Sequence, residues 1–173
     1  MPLPNKKYDT LFLDRDGVLN RKIENGYVLK VNDIVIPDGV IEFLNHASLF
    51  FNRIVVVTNQ RCVGRKLLSL ENLAIINDQI NKLTGSQIKE FFVCPHLDED
   101  NCECRKPKNG LFLRASSKYN IDFKGSWLVG DSESDLIPAK GLMISTLFIS
   151  SVESPYADKT VSSMLDLDHF FEC

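Results

Sequence analysis

Two short apolar runs break off abruptly into polar sequence, and this feature constrains the fold more than any other. The run at 8–13 ends before Asp14, and the run at 53–58 is followed by Asn59. Neither run alternates cleanly between apolar and polar residues, and neither do further strand-like runs at 88–93, 126–129 and 146–149. Strands that are buried on both faces have this composition, which is typical of parallel sheets. The sequence therefore predicts five parallel strands.

Segments with helical spacing lie between these strands. Apolar residues recur three or four positions apart in the segments 40–47, 70–83 and 111–119, and Gly39, Ser69 and Gly85 mark expected helix boundaries. Strand and helix patterns that alternate in this way predict an α/β fold with a doubly wound parallel sheet. We expect one domain over residues 1–173, with a loop or small flap at 20–37 and a closing helix at 161–173.

The charge balance argues against a protein devoted to binding nucleic acid. The chain has 20 Lys and Arg against 23 Asp and Glu, a net charge of -3, whereas such proteins usually carry a basic excess on one face. No apolar run reaches the ~18 residues that a membrane span needs, and residues 1–7 lack the apolar core of a signal peptide. We expect a cytoplasmic protein without a nucleic-acid or membrane partner.

Two aspartates follow the first predicted strand in the sequence Asp14-Arg-Asp16-Gly. Residues two apart in an extended chain project to the same side, so both carboxylates can reach one site. That site lies at the carboxyl edge of the sheet, where open parallel sheets bind ligands. Close carboxylates repel each other, and a divalent cation or a shared proton relieves the repulsion. A surface turn accounts for the same residues almost as well.

Polar groups occur at three further places that suit one phosphate site. Thr58 and Asn59 close an otherwise apolar strand, and Asp131 follows another strand. Arg105 and Lys106 form a cation pair that suits phosphate oxygens. Helix caps and a solvated loop are the simpler explanations of these residues. Four such groups in one chain favour a common site over coincidence.

The loop at 94–104 has the ligand set of a closed zinc site. Three thiols and one imidazole, from Cys94, His96, Cys102 and Cys104, match a tetrahedral zinc shell. The alternative is a set of unmetallated thiols beside a surface histidine. A closed shell leaves no position for water, so we expect a structural zinc that rigidifies the loop before Arg105. Cys62 and Cys173 have no partner that the sequence identifies.

In this order, the motifs resemble those of the haloacid dehalogenase superfamily of phosphohydrolases. They stand as Asp14-Arg-Asp-Gly-Val-Leu19, Thr58-Asn59, Lys106 and Gly130-Asp131-Ser-Glu-Ser-Asp135. The zinc loop, which runs into Arg-Lys-Pro107, narrows the resemblance to two families. These are the D-glycero-D-manno-heptose 1,7-bisphosphate phosphatases and the histidinol-phosphate phosphatases. Asn25-Gly-Tyr-Val28 and Thr58-Asn-Gln60 look more like the heptose enzymes.

The resemblance implies a role for each matched residue. Asp14 would be the nucleophile, and Asp16 would act as general acid and then as general base. Mg²⁺ would be held by Asp14, the Asp16 carbonyl and Asp131. Thr58, Asn59 and Lys106 would bind the transferred phosphate. The rest of the substrate would lie against Arg105 and against a group that borders the sugar: Glu24, Asn25, Gly26, Tyr27, Gln60 and Arg61.

The resemblance therefore implies a Mg²⁺-dependent phosphatase that removes the 7-phosphate from D-glycero-D-manno-heptose 1,7-bisphosphate. The reaction would pass through an aspartyl-phosphate, with Zn²⁺ as a second, structural cofactor. Two alternatives stay open at this point: a histidinol-phosphate phosphatase, and a zinc-stabilised interaction module without catalysis. The implied partner is a small phosphorylated substrate, and we expect a monomer.

Overall fold

A six-stranded parallel sheet organises the protein. The computed structural model describes residues 6–172. The strands are β1 (Tyr8–Leu13), β2 (Phe51–Asn59), β3 (Glu90–Cys94), β4 (Trp127–Gly130), β5 (Ser145–Ile149) and β6 (Lys159–Val161). Their order is β3-β2-β1-β4-β5-β6, and all neighbouring pairs are parallel. The predicted fold class and the five predicted strands are confirmed, whereas β6 was not predicted.

The described residues form five α-helices, which lie between successive strands from β1 to β5. They are α1 (Val40–Phe50), α2 (Arg61–Gly64), α3 (Leu70–Leu83), α4 (Gly110–Tyr119) and α5 (Glu133–Gly141). The three predicted helices are confirmed as α1, α3 and α4. Ser69 caps α3 by accepting a hydrogen bond from the Asn72 N–H at 3.1 Å, as its position before the helix predicts. The short helices α2 and α5 were not predicted, because neither has an extended apolar periodicity.

The predicted closing helix is wrong for the part of the tail that the structure describes. Val161 ends β6, and two short 3₁₀ helices follow at Met164–Leu167 and Phe170–Glu172. His169 lies between them in the left-handed region, with φ of 58°. A continuous right-handed helix cannot pass through that conformation. Cys173 lies outside the described residues.

Apolar side chains alternate between the two faces of the sheet, so helices cover both faces. Leu11 and Leu13 of β1 join the core beneath α1 and α3, whereas Phe12 joins the core beneath α4 and α5. Phe171 from the closing segment also enters the first core and is 1% exposed. This burial on both faces explains why the strands lack polar alternation.

The strand order reverses between β1 and β4. In open α/β sheets a ligand crevice forms outside the carboxyl ends of the strands at such a switch point. Asp14 follows β1 and Asp131 follows β4 at this edge.

The segment 20–37 lies between β1 and α1 and contains one 3₁₀ turn at Val31–Asp33. No helix in the described part of the chain has the length and apolar character of a membrane span.

Candidate active site

A cavity of about 520 Å³ opens at the switch point between β1 and β4. It brings together most of the predicted site residues: Asp14, Asp16, Asn25, Gly26, Tyr27, Asn59, Gln60, Arg61, Arg105, Lys106 and Asp131. Thr58 and Glu24 are not part of its lining. The catalytic and binding roles of all these residues stay predictions. The flap predicted at 20–37 contributes Lys22 and the neighbouring residues to one wall.

Lys106 forms the inner end of the cavity and is only 4% exposed. Its Nζ donates hydrogen bonds to Asp135 Oδ1 at 2.6 Å, to the Val57 carbonyl at 2.7 Å and to Asp14 Oδ1 at 2.9 Å. Burial opposes the charge, yet Asp135 and Asp14 raise the pKa of Lys106 well above its usual value. The solvated-loop alternative for Lys106 is therefore wrong.

Three carboxylates crowd around this lysine. Oxygen atoms of Asp14, Asp131 and Asp135 lie within 4.8 Å of one another. Burial and the charge of Asp135 raise the pKa of Asp14 well above its usual value, although Lys106 lowers it. Burial and Asp135 also raise the pKa of Asp131. Oxygen ligands that repel one another in this way suit a hard divalent cation.

Gly17 allows the loops after β1 and β4 to meet at these carboxylates. A Cβ at this position would lie 2.0 Å from Asp131 Oδ2, and the backbone φ is +93°. Both the space and the left-handed conformation therefore require glycine. The glycine of the Asp-x-Asp-Gly motif therefore leaves the space that the Asp131 carboxylate occupies.

Asp16 is held as a carboxylate by donors on both oxygens. Asn20 Nδ2 and Arg15 Nη2 each donate to Oδ1 at 2.9 Å, and Gln60 Nε2 donates to Oδ2 at 2.7 Å. Burial opposes the charge, but Arg15 and the hydrogen bonds from Asn20 and Gln60 lower the pKa of Asp16. This carboxyl group is therefore oriented and ionised before any ligand enters.

Sequence reasoning missed the group that supports Asp16. Arg15 is 1% exposed, and its Nη1 donates to Asn77 Oδ1 on α3 at 3.2 Å. Asn77 lies among Leu73, Ile76 and Ile80 on the buried face of that helix. An amide on an apolar helical face was a usable signal, since buried polar groups need partners. The sequence contains no sign of which partner Asn77 meets.

Asn59 fixes the main chain of Lys106. Its Nδ2 donates to the Lys106 carbonyl at 3.1 Å, and its Oδ1 accepts from the Lys106 N–H at 3.0 Å. Thr58 Oγ1 accepts a hydrogen bond from Gln60 Nε2 at 2.9 Å. Neither Thr58 nor Asn59 is the cap of the following helix α2, which begins after Gln60. The helix-cap alternative for this pair is wrong.

Cationic groups occupy the outer part of the cavity. Arg61 Nε donates to the Tyr27 hydroxyl at 3.0 Å, and the Arg65 guanidinium lies 5.8 Å from the Tyr27 ring centroid. Arg105 pairs through Nε with Asp98, while its Nη1 is buried and has no hydrogen-bond partner among the described residues. A buried donor without a partner is costly. This end of the cavity therefore suits an anionic group.

The four predicted zinc ligands converge at the end of edge strand β3. The Sγ atom of Cys102 lies 3.6 Å from those of Cys94 and Cys104, and His96 Nδ1 lies 3.2 Å from Cys104 Sγ. Zinc–sulfur bonds of ~2.3 Å in a tetrahedron place sulfurs about 3.8 Å apart. The cluster therefore has the size of a zinc shell and can hold a metal ion.

The thiols of this cluster have unlike proton affinities. Burial raises the pKa of Cys94 to about 12. Burial opposes ionisation of Cys102 as well, yet the main-chain N–H of Arg105 and the Cys94 thiol lower its pKa to about 7. A soft cation at the centre would favour the thiolate form of each. The loop continues directly into Arg105 and Lys106, so its shape sets where these cations lie.

Comparisons with known proteins agree with this geometry. A family described as HAD-hydrolase-like matches residues 103–155. The D-glycero-beta-D-manno-heptose-1,7-bisphosphate 7-phosphatase of Helicobacter pylori is 34% identical over 131 residues, which cover 73% of this chain and 75% of that protein. The D-glycero-alpha-D-manno-heptose-1,7-bisphosphate 7-phosphatase of Campylobacter jejuni is 32% identical over 171 residues, covering 96% and 97%.

A solved structure supports the same fold. The D,D-heptose 1,7-bisphosphate phosphatase of B. bronchiseptica, complexed with magnesium and phosphate, superposes with a TM-score of 0.83. The match covers 95% of this chain and 98% of that chain at 22% sequence identity. This likeness confirms the predicted fold class.

We expect Asp135→Asn to lower the free energy of unfolding by about 3 kcal/mol, because it removes the charge of a buried ion pair. The measurement is urea denaturation at neutral pH. Asp78→Asn is the matched control, since Asp78 pairs with Lys82 while both side chains are more than 60% exposed. The control should lose less than about 0.5 kcal/mol. If both variants lost equally little free energy of unfolding, the ion pair between Asp135 and Lys106 would not stabilise the fold as we infer.

Proposed function

The chain belongs to the family of D-glycero-D-manno-heptose-1,7-bisphosphate 7-phosphatases, and from this membership we propose that it hydrolyses the 7-phosphate of that bisphosphate. One observation carries the proposal. The cavity has Asp14 and Lys106 at its inner end and a separate cationic group around Arg105 at its outer end. A sugar with a phosphate at each end matches this distribution of charge.

The reaction begins when an Asp14 oxygen attacks the phosphorus atom of the 7-phosphate. The bond from phosphorus to the sugar oxygen breaks, and the leaving oxygen takes a proton from Asp16. Water then attacks the aspartyl-phosphate, Asp16 takes the proton from that water, and Asp14 and inorganic phosphate are released. Each step transfers one proton through Asp16, which lies two residues from the nucleophile on the same loop.

The surroundings of Asp16 favour its role as general base over its role as general acid. Arg15, Asn20 and Gln60 stabilise the carboxylate, which is the form that deprotonates water. To act as an acid, Asp16 must first take up a proton. The dianionic phosphate favours this uptake by raising the negative potential beside Asp16 when the substrate binds. The proton is then passed to the leaving sugar oxygen.

The carboxylates of Asp14 and Asp131 and the main-chain carbonyl of Asp16 would hold Mg²⁺. Their fit follows from the hard oxygen donors that meet here, since oxygens of Asp14, Asp131 and Asp135 lie within 4.8 Å of one another. Burial and the charge of Asp135 raise the pKa of Asp14 and of Asp131, so a cation would favour the ionised form of both. When bound, the ion neutralises the charge that a phosphate brings to a cluster of carboxylates. Lys106 supplies the cation of the chain itself, and Asn59 fixes its main chain.

The cluster of Cys94, His96, Cys102 and Cys104 would hold a structural Zn²⁺. Support comes from its soft donor set and from Sγ to Sγ distances of 3.6 Å.

We further propose that the chain is one domain and that it acts in the cytoplasm, as a monomer, on a small phosphorylated substrate. Histidinol-phosphate hydrolysis and a non-catalytic interaction role are the competing outcomes of the experiments below.

We expect Asp14→Asn to abolish phosphate release from heptose 1,7-bisphosphate, because an amide keeps the shape but cannot act as the anionic nucleophile. The assay is steady-state phosphate release in the presence of Mg²⁺. The exposed substitution Asp78→Asn, which makes the same chemical change away from the cavity, should retain the wild-type rate. A rate near that of the wild type in Asp14→Asn would overturn the mechanism, and an inactive wild-type protein would favour the interaction role.

We expect Arg105→Ala to raise the KM for heptose bisphosphate at least about tenfold, equivalent to about 1.4 kcal/mol for a lost charge-assisted contact. The KM for a simple aryl phosphate should hardly change, because that substrate has no second phosphate. The exposed Arg114→Ala is the control and should leave both KM values unchanged.

Two results would contradict this assignment. Equal losses on both substrates would place Arg105 at the transferred phosphate instead. Faster hydrolysis of histidinol phosphate than of heptose bisphosphate by the wild-type protein would overturn the heptose substrate itself.

We expect one zinc per chain to survive dialysis and to be lost in Cys102→Ser. The loss should lower turnover, because the loop that places Arg105 and Lys106 is then loosened, and added Mg²⁺ should not restore it. Elemental analysis together with the phosphatase assay measures both effects. Cys62→Ser should keep its zinc, since Cys62 is buried away from the cluster. Zinc-free wild-type protein would refute the site.

A further inference from the structure

Three metal-ligating side chains meet at the end of the sheet opposite the cavity. His46 lies on α1 one turn before Phe50, after which β2 begins. His169 and Glu172 belong to the closing segment of the chain. One ligand atom from each of the three side chains lies within 4.8 Å of the other two. The phosphatase chemistry uses none of these residues.

The packing of Phe171 fixes this cluster at the amino ends of the strands. Its ring contacts Tyr8, Phe51 and Trp127 at centroid distances of 5.6, 4.8 and 5.6 Å. These three residues are the first residues of β1, β2 and β4. The cavity lies at the carboxyl ends of the same strands. A ligand bound at the cluster would therefore lie at the opposite end of the sheet from the cavity.

The Nε2 atom of His46 is the unexplained group of the cluster. It is closed off from solvent and has no hydrogen-bond partner among the described residues. Glu172 Oε1 lies 3.4 Å away, without the geometry of a hydrogen bond. Zinc–nitrogen and zinc–oxygen bonds of ~2.0–2.1 Å in a tetrahedron place two ligand atoms about 3.4 Å apart. The separation is thus one that a shared metal ion would produce.

His169 approaches the same carboxylate from the other side. Its Nδ1 is hydrogen-bonded to Glu172 Oε1 at 2.6 Å, and its ring lies edge-on to the ring of His46 with centroids 4.8 Å apart. Two ligands of one ion lie farther apart than this, so an ion would take the place of the hydrogen bond. Phe170 and Phe171 follow His169 directly and pack against Trp127. The His46 ring packs against Phe50. Packing therefore brings the ligands together before any ion arrives, which lowers the cost of binding one.

We propose that His46, His169 and Glu172 bind a divalent transition-metal ion, with water completing its coordination. Two imidazoles and one carboxylate suit zinc, cobalt or nickel, whereas magnesium prefers sites made of oxygen alone. The ion joins the last turn of the chain to α1. Its effect is to raise the stability of the folded protein, because the unfolded chain does not hold the three ligands together.

The test uses tag-free protein whose Cys/His cluster is already loaded with zinc. It is titrated with Co²⁺ in a large excess of Mg²⁺, which fills the proposed site at Asp14 and Asp131. We expect one further equivalent to bind, with the weak visible bands of nitrogen and oxygen ligands and without sulfur charge-transfer absorption. His46→Gln, His169→Gln and Glu172→Gln should each lose this equivalent. Glu42→Gln, an exposed change on the same helix, should keep it.

Thermal unfolding supplies the second measurement. At ~100-fold excess of Co²⁺ over its dissociation constant, the unfolding midpoint of the wild type should rise by about 5 °C or more. The same excess of Mg²⁺ is present in every sample, so that filling of the proposed magnesium site does not contribute to the difference. For each variant, the unfolding midpoint with Co²⁺ is compared with the midpoint of the same variant without Co²⁺. A variant that is less stable than the wild type therefore still shows whether Co²⁺ raises its midpoint.

Two outcomes would overturn the proposal. One is the absence of Co²⁺ binding by the zinc-loaded wild type in excess Mg²⁺, which would make the three side chains an ion-pair cluster only. The other is undiminished binding by His46→Gln, which would place the ion elsewhere. Phosphatase turnover should be the same in all these variants, so either outcome leaves the proposed function untouched.

Discussion

The buried ammonium group of Lys106 is the contact on which the rest of the site depends. A charge removed from water must be paired, and each partner of this one belongs to a different part of the fold. Asp14 follows β1, the Val57 carbonyl belongs to β2, and Asp135 belongs to α5. The Lys106 side chain therefore ties Asp14 to β2 and to α5. Asn59 in turn fixes the main chain from which that side chain extends.

The same lysine bears on the proposal that the inner end of the cavity binds a phosphate and a cation together. Three carboxylates lie near one ammonium group, so the inner end of the cavity has a net negative charge when all three are ionised. A phosphate dianion alone would be repelled, and a divalent cation alone restores neutrality. In the proposed function the site would accept the dianion together with the cation, and Arg105, whose buried Nη1 has no partner among the described residues, would attract a second anion. This order of charges is an electrostatic account of the proposed bisphosphate preference.

Residues whose role depends on local spacing were predictable, and residues whose role depends on a distant partner were not. Asp14, Lys106 and the cluster around Cys94 follow from short motifs, and the cavity and the cluster geometry place them together. The support of Asp16 by Arg15 and Asn77 joins positions 62 residues apart, and nothing in either segment names the other. The expected closing helix failed at His169, because local apolar spacing does not reveal a left-handed residue.

Gly17 has a consequence for how this chain can change over evolutionary time. Two unrelated conditions exclude a side chain there: the handedness of its own backbone and the carboxylate of Asp131 in the space that a Cβ would fill. Shortening Asp131 would remove only the second condition, and it would remove a ligand of the proposed magnesium site. A change at residue 131 alone therefore cannot compensate for loss of Gly17, because the left-handed backbone would still disfavour a side chain there.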